Sequence, residues 1–255
     1  MGAVIKKVLR QLLGGRILGT VDYWRFSERR TAWGGPFNGQ ERRRELFAAL
    51  VQKLRPAAII ETGTHLGTTT EFMAENDVPI YSVEANRRSL GFARARLWRK
   101  RHVTIRSGDS RDALRAFFAG PLRSRGSAPI LVYLDAHWQD DLPLVGELEI
   151  IFGNCPEAAV VIDDFEVPGD RGFAFDDYGP GKALNAAYIV PVVDAHDLMI
   201  FYPSASSGEE TGARRGCVVL CKSALAGKLR TLPQLRAFAP AGSAGIVDNP
   251  IGAKG

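Results

Sequence analysis

The sequence predicts an α/β fold, doubly wound on a seven-stranded and mostly parallel sheet that ends in an antiparallel hairpin strand. Three observations predict it. From about residue 56, short β-branched runs alternate with stretches of helical period, the pattern of successive βαβ units and a buried parallel sheet. Each stretch between the first five runs is long enough to cross over. The last two runs are joined by "SASSGEETGARR", a polar connection with no room for a helix, which makes them an antiparallel hairpin at one edge.

Taken in order, the chain opens with "MGAVIKKVLRQLLGG", where Val4, Ile5, Val8, Leu9, Leu12 and Leu13 recur at helical spacing and Lys6, Lys7 and Arg10 fall opposite. This is a short basic amphipathic helix, suited to packing on the domain or a partner subunit, with peripheral membrane contact through residues 1–13 as the alternative. Residues 15–45 read as a loop-rich lead-in, so that the first unit spans 1–45. The main domain follows over 46–225. Its strands are "AAIIET", "PIYSVEA", "HVTIRSGD", "PILVYLDA", "AVVIDDF", "DLMIFYP" and "GCVVLCK". Helices are expected at roughly 67 to 76, "NRRSLGFARARLWRK", "SRDALRAFFA" and "LPLVGELEIIF". Residues 165–181, rich in glycine and proline and set directly after the fifth strand, read as a lid. The remaining 226–255 form a Gly/Ala-rich extension, expected to be partly disordered.

Composition bounds the partners. The net charge of +5, from 33 basic and 28 acidic residues, leaves a mixed surface, and no nucleic-acid partner is expected from it. Cys155, Cys217 and Cys221 have neither the number nor the spacing of a disulfide scaffold or zinc site, which fits a reducing, cytoplasmic setting. In "GCVVLCK" a strand points both cysteines to one face, so buried packing is the expectation there. No apolar run approaches the roughly 20 residues of a membrane span. A homo-oligomer is compatible with the sequence.

Ligands of open parallel sheets collect outside the carboxyl ends of the strands, and every run here stops on polar residues. The first ends in Glu61 with Gly63 and Gly67, the second in Glu84, the third in Asp109, the fourth in Asp135 and His137, the fifth in Asp163 and Asp164. "ETGTHLG" spaces its glycines four apart, so it is neither a dinucleotide G-x-G-x-x-G nor a phosphate-binding loop. It offers close backbone approach at Gly63 and Gly67 and a helix N-terminus, with a carboxylate that suits a positively charged ligand. Glu84 can accept from both hydroxyls of a ribose, and Asp109 from an adenine amino group. Together they describe an adenosine site without phosphates.

Over roughly residues 45 to 223 the sequence resembles the class I S-adenosylmethionine-dependent methyltransferases, which are Rossmann-like. "ETGTHLG" stands where that family has its glycine motif, "YSVEAN" its ribose acid and "SGDSRDAL" its adenine segment. The resemblance implies S-adenosylmethionine as cofactor, held by Glu61, Gly63, Thr64, His65, Gly67, Glu84, Asp109 and Asp135. Asp135, Asp163 and Asp164, closing adjacent strands, resemble the carboxylates of metal-dependent O-methyltransferases of catechol and antibiotic-sugar type, and imply Mg2+. Asp164 stands where an Asn is usual in the catechol type, and "DAHW" departs from the sugar enzymes. The bland alternative is that Asp163 caps a turn and Asp164 pairs with an arginine.

His137 is the candidate general base for an acceptor hydroxyl, with Asp135 as its catalytic companion; the alternative is a histidine filling the rim beside Trp138. Asp140 and Asp141 are nearby substitutes. The lid residues Phe173, Phe175 and Tyr178, among Asp170, Asp176 and Asp177, are expected to contact the acceptor. The resulting expectation is a methyltransferase acting on a hydroxyl of a small molecule, a sugar or other natural-product precursor. Three rivals stand beside it: an NAD-type oxidoreductase, opposed by the missing dinucleotide glycines; a binding module without chemistry; and an RNA-directed methyltransferase, suggested by the basic helix with Arg101 and Arg106.

Overall fold

The computed structural model describes residues 14–136 and 142–238. All seven expected strands are present: β1 (Ala58–Thr62), β2 (Ile80–Glu84), β3 (Val103–Ser107), β4 (Ile130–Leu134), β5 (Ala158–Asp163), β6 (Leu198–Pro203) and β7 (Cys217–Lys222). An eighth, β8 (Leu235–Ala237), was not expected; it lies in the predicted extension and pairs antiparallel with β6. The spatial order is β3-β2-β1-β4-β5-β7-β6-β8. Strands β1 to β5 are mutually parallel, and β7 enters antiparallel between β5 and β6. The hairpin is therefore real, but β8 and not the hairpin forms the edge. From β1 the chain winds outward through β2 and β3, then returns to β4 on the other side of β1. The carboxyl ends of β1 and β4 thus form the switch point where such sheets bind ligands.

The inner strands contribute to two cores in alternation, because successive side chains leave a strand on opposite faces. On one face Ile60, Val132, Val160, Ile162, Val218 and Leu220 pack with α5 (Ser110–Ala119), α6 (Leu144–Asn154) and α7 (Ala186–His196). On the other, Ile59, Leu131, Tyr133, Val161, Cys217, Val219 and Cys221 pack with α2 (Glu41–Leu54), α3 (Thr68–Met73) and α8 (Ser223–Leu229). Cys217 and Cys221 are buried on one face, as the strand period requires, and Cys155 is buried as well. The helix α4 (Arg87–Arg96) covers the β3 end through Leu90, Ala93 and Leu97. Among the described residues no helix is long and apolar enough to cross a membrane.

The lead-in is a correction. Residues 15–45, expected to be loop-rich, hold α1 (Gly14–Arg25), two 3-10 segments (Ser27–Gly34 and Pro36–Gly39) and the start of α2. Helix α1 escapes a pattern search because the residues it buries are Gly19 and Asp22, with the half-buried Tyr23 ring set edge-on against Phe92 of α4 at 5.3 Å. It docks on α4 by backbone approach instead: a β-carbon at Gly19 would lie 1.9 Å from the Arg88 carbonyl oxygen, and one at Gly91 would lie 2.0 Å from that of Arg16. Helix α2 escapes at its start because its cap comes from elsewhere in the chain. The buried Glu210 carboxylate accepts from the Arg42 and Arg43 amides, at 3.0 and 3.1 Å, where the local residue Gln40 makes no side-chain cap. Helix α7 carries Pro191 in its interior, the usual signal for a break, and is capped by the Asn185 side chain. The basic N-terminal helix expected within residues 1–13, and the tail from 239, lie outside the described residues.

Candidate active site at the β1–β4 switch point

The turn after β1 is stitched to both neighbouring strands. Gly63 takes φ +85, and a β-carbon there would lie 2.1 Å from the Asp135 carbonyl oxygen at the end of β4. Only glycine lets the two strand ends come this close. The amides of Gly63 and Thr64 both donate to the Val83 carbonyl, at 3.1 and 3.2 Å. His65, at φ 48, donates its amide to Glu84 Oε2 at 2.6 Å. Gly67, at φ 74, opens α3 and lies against Ala93 of α4. Glu61, Gly63, Thr64, His65, Gly67, Glu84 and Asp135, which the sequence picks out on three separate strands, are therefore brought together.

Glu61 is buried at the end of β1, where its Oε2 accepts from the hydroxyls of Thr70 and Ser82, each at 2.6 Å. Burial pushes its carboxyl up to about 7, against the pull of those two hydrogen bonds. Thr64 and Ser82 share a further hydroxyl contact at 2.5 Å, so the floor of the turn is a small polar network inside the core. Glu84 closes β2 with both oxygens engaged, one by the His65 amide and the other by the Asn86 amide at 2.6 Å. Its burial raises the carboxyl and the two amides lower it. A carboxylate has about four lone-pair sites, so acceptor capacity remains for a ligand's hydroxyls.

Asp109 is placed differently from the expectation. It caps α5 through the Arg111 amide at 2.8 Å, and the Arg111 guanidinium folds back on it through Nε at 2.9 Å and Nη2 at 2.5 Å. The arginine holds this carboxyl below the usual range. The Gly108 amide donates to the Glu84 carbonyl at 3.1 Å, which ties the exit of β3 to the same rim.

The carboxylates at the ends of β4 and β5 do not assemble into the expected metal site. Asp163 is buried and paired with Arg43 of α2, and it accepts from the Tyr133 hydroxyl at 2.6 Å and from the Asp164 amide at 2.9 Å. Asp164, at φ 54, accepts from Arg215 Nε at 2.5 Å, and the same guanidinium pairs with Asp176 of the lid. Two of the three carboxylates are therefore turned toward arginines. Among the described residues no group of three acidic, histidine or cysteine side chains is placed to hold a metal ion. The residues present do not fit the implied Mg2+. Of the alternative reading the second half holds, since Asp164 pairs with Arg215, whereas Asp163 forms a buried ion pair with Arg43.

Asp135 follows β4 beside these carboxylates. Burial, then the surrounding charges of Asp163, Asp164, Glu61 and Asp176, push its carboxyl well above the usual range. His137 and Trp138, with the substitutes Asp140 and Asp141, lie outside the described residues.

Arg43 and Arg215 are the residues that sequence reasoning missed. Arg43 had a signal, since in "ERRRE" it alone shares a helical face with the buried Leu46, Phe47 and Leu50. Arg215 had none, because its partners lie 39 and 51 residues away. The lid is tied down by backbone pairing, Ala174 with Arg214 and Gly216, and Asp176 with Asp164. Phe173, expected to contact the acceptor, is buried in the core at the wall of the cavity beyond Arg43. Beyond Arg43 a cavity of about 320 Å3 opens between α2 and the end of β6, with Arg42, Glu45, Ser204, Glu209 and Gln234 in its lining.

No family model matches the chain, and no curated protein does. Solved structures do. An O-methyltransferase from Bacillus cereus in complex with SAH superposes with a TM-score of 0.52 at 15% identity, over 85% of this chain and 96% of that one. A proposed O-methyltransferase from Klebsiella pneumoniae gives 0.50 at 18%, over 86% and 96%. The methyltransferase domain of the bacterial CtHen1-CN protein gives 0.51 at 13%, over 71% and 98%. The chain has the fold that these methyltransferases share.

Proposed function

We propose that this chain binds S-adenosylmethionine at the β1–β4 switch point and transfers its methyl group to a hydroxyl of a small molecule. One observation carries the proposal: the Gly63 turn is held between β2 and β4, with the His65 amide on Glu84 and Gly63 against the Asp135 backbone, so that two acids border the turn at the strand ends. When bound, the cofactor supplies a methyl group on positively charged sulfur, activated without help from the protein.

The residues of the chain then have four tasks. Gly63 admits close approach of the cofactor backbone. Glu61 supplies negative charge toward the methionine ammonium, and Glu84 accepts from the ribose hydroxyls. Asp135, following β4, would stand on the side of the transferred methyl group. An acceptor oxygen held in line with that methyl would take it, the carbon–sulfur electron pair leaving with sulfur as a neutral thioether. The hydroxyl proton would go to His137, two residues beyond Asp135, or to Asp135 in its ionised form, whose raised proton affinity makes it the stronger base once deprotonated. No step is assigned to a metal. The acceptor, a hydroxylated molecule such as a sugar, is assigned to the side beyond Asp135.

Calorimetry with S-adenosylhomocysteine and with NAD tests the reading. Binding of the first and not the second is the expected result. Tight NAD binding with no response to S-adenosylhomocysteine would replace the methyltransferase by the oxidoreductase, and binding without turnover of any hydroxylated acceptor would leave the binding module.

A further inference from the structure

Helix α1 is turned inside out. Its buried residues are Gly19 and Asp22, while Ile17, Val21 and Trp24, at positions i, i+4 and i+7 of one face, are 52, 48 and 63% exposed. An amphipathic helix resting on its own domain buries its apolar stripe. This one spends its inward face on close backbone contact with α4, on the Tyr23 ring against Phe92, and on Asp22, which pairs with Arg29 at 3.4 Å and Arg88 at 2.5 Å.

The charge around that stripe is segregated. Segments 14–33 and 85–101, which carry α1 and α4, hold eleven basic and two acidic residues, a surplus of nine in a chain whose net charge is +5. One of the two acids is the buried Asp22. Arg16, Arg25, Arg87, Arg94, Arg99 and Arg101 are exposed, and the exposed Trp98 carries the Arg99 guanidinium over its ring at 4.7 Å. The thirteen residues before Gly14 continue the same chemistry in sequence, with Ile5, Leu9 and Leu13 at four-residue steps leading to Ile17, beside Lys6, Lys7 and Arg10.

We propose that the Ile17–Val21–Trp24 face of α1 docks on an anionic lipid surface. Aliphatic and tryptophan side chains enter the interface between headgroups and acyl chains, and the flanking arginines meet the acidic headgroups. A second copy of the chain is the poorer occupant, because a two-fold contact would bring two strongly basic faces together. Nucleic acid would use the arginines and leave Ile17 and Val21 in water.

The full chain is pelleted with vesicles of phosphatidylcholine alone and of phosphatidylcholine with phosphatidylglycerol. It sediments with the second and not the first, its tryptophan emission moves to shorter wavelength, and added salt weakens the association. The variant I17S/V21S/W24S, altered only at exposed positions, keeps the wild-type melting temperature and loses about tenfold or more of its vesicle affinity. The proposal falls if the wild type ignores phosphatidylglycerol, or if the triple variant pellets equally well. It falls also if the stripe proves to hold a dimer that the triple variant dissociates.

Discussion

Arg43 on α2 and Asp163 at the end of β5 form an ion pair in which both side chains are 3% exposed. Burial alone would lower the arginine's proton affinity; the adjacent carboxylate more than reverses that and holds it above its ordinary value. Removing one partner leaves the other charge buried and alone, so Arg43→Ala costs about 3–5 kcal/mol in urea-unfolding stability. Arg43→Met combined with Asp163→Asn loses less than half of that, because no lone charge remains and Asn keeps an acceptor for Tyr133.

The same pair makes a prediction about metal. With Asp163 held by Arg43 and Tyr133, and Asp164 by Arg215, magnesium or manganese titrated into the wild type and into Asp163→Ala gives the same negligible heat. A wild-type site that Asp163→Ala abolishes would show that the acids rearrange around an ion.

Glu84→Gln removes the charge from the β2 acid and keeps one acceptor for a backbone amide. It is expected to weaken S-adenosylhomocysteine binding by about tenfold to a hundredfold, the range of a lost charge-assisted hydrogen bond. Calorimetry reads this directly, and an unchanged Kd would remove Glu84 from the ribose.

Glu61 sets a pH dependence whose direction is fixed. Its folded value of about 7 lies above the ordinary 4.5, so between the two the folded chain keeps a proton that the unfolded chain has released. Its stabilising contribution is full below that window, falls across it by about 3 kcal/mol, and is level above. Melting curves of Glu61→Gln and wild type therefore coincide near the acid end and separate in the variant's favour above neutrality. S-adenosylhomocysteine affinity moves the opposite way, rising in the wild type as Glu61 ionises and staying flat in Glu61→Gln.

Gly63→Ala and Gly108→Ala share a positive φ and differ in surroundings. A β-carbon at Gly63 would strike the Asp135 backbone, whereas one at Gly108 would meet nothing within 4 Å. Gly108→Ala is expected to cost only backbone strain, about 1–2 kcal/mol. Gly63→Ala pushes the ends of β1 and β4 apart, lowers the melting temperature further, and abolishes cofactor binding.

What the sequence determined by itself was the sheet. Strand runs such as "AAIIET" and "PILVYLDA" are buried on both faces, so their apolar character is written locally, and the acids Glu61, Glu84 and Asp135 stand where those runs must end. Tertiary structure decided which acids are paired with arginines. Asp163, Asp164 and Asp109 read alike in sequence as strand-end carboxylates, yet each is taken by an arginine, two of them by Arg43 and Arg215 from distant parts of the chain. It also decided the lead-in, where α1 is held by glycine contacts and α2 is capped by Glu210 from 167 residues away. The physical reason is common to these cases. A strand's burial is a property of its own residues, whereas the partner of a buried charge or an open helix end is whatever group the fold delivers, and side-chain spacing along the chain carries no record of that partner.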